Sequence, residues 1–214
     1  MKWAVVKIAK AITNGFAKGT WNVKTRPRAS FVMTFMDEKE LENKVWWLSI
    51  HEDLRELLLE SMLLVRRVEE WDEKFHDYAF VVFPAAKAYE GFLKGLFFDL
   101  KFISDNDYYG KHFRVGKALN PALDPVIREK EGVYDKVVKY CGGKDVADNL
   151  WQTWKSCRNL LFHWFPHEKN AIDFNEAKNR VEDVMNSIDL AYTGCNLAEK
   201  KLITHSKRVF WHKK

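Results

Sequence analysis

Phe174, Ala177, Val181, Val184, Ile188, Ala191 and Cys195 recur at intervals of three and four. That spacing puts side chains on one face of an α-helix. It predicts a helix over 175–195 whose apolar stripe must be covered by something else. The rest of the chain offers matching partners. Over 52–71, Leu54, Leu57, Leu58, Ser61, Val65 and Val68 share a face, and Arg55, Glu56, Glu60, Arg66, Arg67 and Glu70 lie largely off it. The segment 76–103 is apolar almost all round, which predicts a central buried helix, with Pro84 kinking its start. A fourth helix is expected over 145–165, ending before Pro166. Asp37 with Glu40 three residues later reads as a helix start. The expected fold is therefore all-α, an antiparallel helical bundle.

Ten Gly and five Pro in 214 residues leave little chain for long loops. The exception is 104–143, a connector punctuated by Gly110, Pro121, Pro125, Gly132 and Gly142-Gly143. One short helix is expected inside it, near 126–140, and Gly142-Gly143-Lys144-Asp145 reads as a turn with an aspartate cap. The division expected is 1–36, a basic N-terminal arm or small hairpin, followed by 37–214, the helical domain. No stretch reaches the about 18 apolar residues of a membrane span, and the lysine-dotted N-terminus is unlike a secretory signal. Cys141, Cys157 and Cys195 have no metal-type spacing and read as reduced thiols, which favours the cytoplasm.

The charge of +5 is unevenly placed. Residues 1–36 hold Lys2, Lys7, Lys10, Lys18, Lys24, Arg26 and Arg28 without an acid, and 200–214 are basic again. Basic ends can follow phosphates without reading sequence, and equally they can be plain solvated termini.

The 145–165 segment carries the chemistry. At ~100° per residue, Val146, Leu150, Trp154, Cys157, Leu161 and Trp164 form the core stripe. Gln152, Lys155, Asn159 and His163 fall opposite, with Arg158 at the border. Trp151, Phe162 and Phe165 lie outside or at the edge of the stripe. Such an aromatic surplus suggests a partner surface, here a homodimer with the two Arg158/His163 clusters facing each other. His163 and His167 are four apart, but Pro166 breaks the geometry a metal would need, so no metal and no cofactor is expected.

Arg158-Asn159-Leu160-Leu161-Phe162-His163 resembles the arginine–polar–x3–histidine signature of the HEPN superfamily. Within it, residues 45–195 are most similar to the HEPN-type C-terminal domain of the RNase LS toxins. The resemblance implies a HEPN-like bundle, a dimer, metal-independent endoribonuclease activity and an antitoxin protein as a partner. It also implies a catalytic glutamate on the facing helix, for which Ala88-Tyr89-Glu90-Gly91-Phe92-Leu93-Lys94 offers Glu90. Those toxins carry a further arginine just upstream of the motif, where this chain has Thr153 and Lys155.

The residue types suit RNA cleavage by its own 2′-hydroxyl. Histidine can give or take a proton near neutrality. Arginine stays charged and presents a planar fork to phosphate oxygens. Asn159 can orient His163 or a phosphate. Lys155, and Lys111 and Arg114 in the basic, aromatic run Lys111-His112-Phe113-Arg114, are candidate RNA contacts. The competing expectation is a non-catalytic helical interaction module of the same shape that binds a protein partner or a nucleotide.

Overall fold

The computed structural model describes residues 35–71, 73–164 and 166–197, without the Glu168 side chain. The expectations for the N-terminal arm, the basic C-terminus and Phe165 fall outside the described residues. Among the described residues the protein is all-α, and no strand occurs. The main helices are α1 (Glu38–Glu42), α2 (Glu52–Glu70) and α3 (Ala79–Asp99). The connector holds α4 (Asp105–Tyr109), α5 (Val115–Ala118), α6 (Pro125–Glu131) and α7 (Tyr134–Cys141). α8 (Lys144–Trp154) and α9 (Phe174–Gly194) follow.

α1, α2 and α9 each start where a side chain accepts an otherwise orphaned backbone N–H. Asp37 accepts from the Glu40 N–H at 2.7 Å, His51 Nδ1 from that of Asp53 at 3.3 Å, and Asp173 from that of Glu176 at 2.8 Å. α9 buries Ala177, Val181, Val184, Ile188 and Ala191, the stripe read from the sequence. α3 lies against α2, α9 and the segment after α8, and buries residues on every side, among them Val82, Ala85, Tyr89, Leu93 and Phe97. One continuous apolar core joins these helices.

Ser61 shows how α2 and α3 lock together. Its hydroxyl is fully buried, donates to the Val81 carbonyl at 2.9 Å and accepts from the Ala85 N–H at 2.8 Å. It therefore stands inside the α3 ladder, next to Pro84, which has no N–H to give Phe80.

Four expectations are corrected. The connector contains four short helices rather than one, because Ser104, Asp124 and Gly110 start and stop turns that periodicity over so short a span cannot reveal. Asp145 is not a cap: it is the second residue of α8, whose N-terminus has no side-chain cap, and Gly142 ends α7 in the left-handed region at φ 80°. The fourth helix does not run to residue 165. It is α-helical only to Trp154, and continues as a π-helical turn over Lys155–Asn159. Finally, the cysteines are not all free thiols. Cys141 and Cys195 form a disulfide that joins the end of α7 to the end of α9, and only Cys157 is free. Their pairing depends on the tertiary packing of α7 beside α8 and α9, which spacing of 54 residues does not disclose.

Candidate active site

The π-helical turn sets the site. The Leu160 N–H reaches back to the Lys155 carbonyl at 2.9 Å, five residues rather than four. Such turns are rare and gather at functional sites. Here Cys157 and Leu161 stay in the core while Lys155 points to solvent and Arg158 and Asn159 sit half-buried. The fully buried Cys157 thiol is pushed up to about 11 by desolvation, so it is a packing residue rather than a nucleophile at neutral pH.

α3 packs against this turn, and the contact brings two of the residues named from sequence together. Arg158 Nε donates to Glu90 Oε2 at 3.3 Å. The guanidinium also lies 5.5 Å from the centroid of the Trp154 ring, four residues earlier, a cation–π distance. Both charged side chains remain more than a third exposed, 36% for Arg158 and 40% for Glu90. Among the described residues the terminal nitrogens of Arg158 have no protein partner.

Trp154 also meets the connector. A Cβ on Gly116 would come within 2.3 Å of Trp154 Nε1. Only a glycine lets α5 approach the ring so closely, so the indole touches both α5 and Arg158.

His163 lies past the helix end and is exposed. It makes no hydrogen bond to Arg158, Asn159 or Glu90 among the described residues; its carbonyl accepts from Asn170 Nδ2, which also donates to the Leu160 carbonyl at 3.1 Å. His163 opens onto a groove of about 290 Å³ whose walls include His76, Asp77 and Trp164. Asp77 Oδ1 accepts from the backbone N–H groups of Ala79 and Ile172 at 3.0 and 3.2 Å, fixing the start of α3 against the loop before α9. In the sequence His76 is only the first residue of the helix expected over 76–103. Its place beside His163 depends on that pairing of Asp77 with Ile172, ninety-five residues away.

Trp164 is a further correction. It was placed in the core stripe, yet it is 74% exposed, because the helix stops before reaching it. Phe162 instead is half-buried and meets exposed Phe83 edge-to-face at 5.5 Å. Lys111 and Arg114 are exposed in the connector. Arg114 lines a cavity there whose walls include none of Glu90, Lys155, Arg158, Asn159 or His163. Among the described residues no three His, Cys, Asp or Glu side chains cluster as metal ligands. No helix among them is long and apolar enough to cross a membrane.

Known proteins add nothing to this geometry: no family model, no curated protein and no solved structure matches the chain.

Proposed function

We propose that the protein is a metal-independent endoribonuclease with Arg158 and His163 as its catalytic pair. The observation that carries this reading is the way Glu90 holds Arg158. By engaging Nε, the carboxylate fixes the plane of the guanidinium and leaves both terminal nitrogens for phosphate oxygens. A phosphodiester bridging from Arg158 toward the groove would meet His163, which takes the 2′-hydroxyl proton or returns one to the leaving 5′-oxygen. The attack forms a bond from the 2′-oxygen to phosphorus and breaks the bond to the 5′-oxygen, leaving a 2′,3′-cyclic phosphate. Asn159 orients the phosphate, and Lys155 follows the backbone of the strand.

The reading extends to a HEPN-like bundle working as a homodimer in the cytoplasm, as a toxin restrained by an antitoxin protein. Exposed Phe83, Leu160 and Trp164 around Phe162 supply the apolar face for the second copy. The test is purified protein with end-labelled RNA in EDTA. His163→Ala and Arg158→Ala should each abolish cleavage while the thermal melt is unchanged. Cleavage that survives in the His163 variant, or that needs a divalent ion, overturns the mechanism.

A further inference from the structure

A cavity lies away from this site, among the short helices of the connector. It encloses about 520 Å³ between α4, α5, α6 and the start of α7, within the range of small-molecule sites. Four of its wall residues are cationic: Arg114, Lys117, Lys130 and Lys136. Two are acidic, Asp107 and Glu131.

The acids are committed locally. Asp107 Oδ2 accepts from the Ser104 N–H at 3.0 Å and from the Ser104 hydroxyl at 2.7 Å, completing the capping box of α4. Those bonds hold its carboxyl below the ordinary aspartate range. Glu131 is taken by Lys117 at 2.5 Å. The cations are less engaged. Lys136 donates to a neutral acceptor, the Phe102 carbonyl, at 2.9 Å. Arg114 and Lys130 have no hydrogen bond or ion pair among the described residues. The cavity is thus a basic concavity with spare donors rather than a mixed, self-neutralised surface.

Aromatic side chains share its wall. Phe113 and Phe102 are half-buried wall residues packed against the core. Cations and half-buried aromatic rings lining one cavity match a ligand that carries both phosphates and a flat ring. We infer that this connector cavity binds a free nucleotide, with Arg114 and Lys130 on its phosphates and the Phe113 ring against its base. The site stands apart from the catalytic residues of the RNA-cleaving reading, since it contains none of Glu90, Lys155, Arg158, Asn159 or His163, and shares with the residues named for RNA only Arg114.

The experiment is calorimetric titration of the full chain with ADP, inorganic pyrophosphate and a short single-stranded RNA. ADP should bind, and Arg114→Ala with Lys130→Ala should weaken it by about tenfold or more, the worth of charge-assisted hydrogen bonds. Both side chains are exposed, so the double variant should melt like the parent; Lys130→Gln alone serves should it not. Phe113→Leu keeps an apolar side chain in the wall and should weaken ADP but not pyrophosphate. Lys178→Ala, a distant charge on α9, should change nothing. Pyrophosphate binding as tightly as ADP would overturn the nucleotide assignment. So would RNA binding that needs Arg114 while ADP does not bind, or the absence of binding altogether. Loss of RNA cleavage in EDTA with ADP binding intact would instead count against the active-site reading alone.

Discussion

Single buried polar groups hold this fold as firmly as its apolar stripe. The Ser61 hydroxyl bonds one carbonyl and one N–H of α3 from the neighbouring helix. Ser61→Ala would leave both buried, at a cost of about 1–3 kcal/mol, measurable as a lower urea midpoint. Tyr89 is a second case. Its hydroxyl is fully buried and contacts the Leu150 carbonyl at 3.1 Å and the Ser187 hydroxyl at 2.8 Å, tying α3 to α8 and α9. Burial drives its ionisation far above the ordinary tyrosine range. Tyr89→Phe should destabilise by a similar amount without disturbing Glu90, so cleavage at moderate temperature should persist. Gly116→Val should behave differently. The added side chain would push Trp154 out of its place beneath Arg158, and RNA cleavage should fall more than stability does.

At the scale of elements, α2, α3 and α9 could be read from the sequence to within a few residues, because α2 and α9 carry several turns of apolar periodicity and α3 is a long segment apolar almost all round. Ser61 was already on the inward face of that pattern. The Arg158 turn was read only in part. A wheel at constant pitch places Cys157 and Leu161 correctly, yet it carries the helix through to Trp164. It cannot register the extra residue taken up by the π-helical turn. Glu90 was named through resemblance, and the structure sets it at hydrogen-bond distance from Arg158. His76 was missed as a neighbour of His163 because no local signal reports which loop closes over a helix end. If His76 shares the proton transfers in the groove, His76→Ala should lower the rate of RNA cleavage while RNA affinity, read by filter binding with Arg158 intact, stays near that of the parent. Unchanged turnover would leave His163 to act without it.

For the whole molecule, the disulfide is the feature that composition least foretold. It closes a loop of 54 residues, for which chain entropy alone gives about 4 kcal/mol. Reduction, or Cys141→Ser with Cys195→Ser, should lower the melting temperature by several degrees. In a reducing compartment the pair would be open, so the stability measured in dithiothreitol is the one relevant to a cytoplasmic role. The loop also encloses α8, the π-helical turn, His163 and all of α9, whereas Glu90 and His76 lie outside it. The stretch from His163 to Lys169, in which His163, Trp164, Pro166, His167 and Lys169 are exposed and His167 has φ 67°, lies inside the loop. A protease that nicks this stretch would sever the backbone between the arginine and the last helix without freeing either piece. The nicked protein should run as one band on a gel without reductant and separate into two once thiol is added. That makes a simple electrophoretic assay a direct readout of whether the bridge exists in a given preparation.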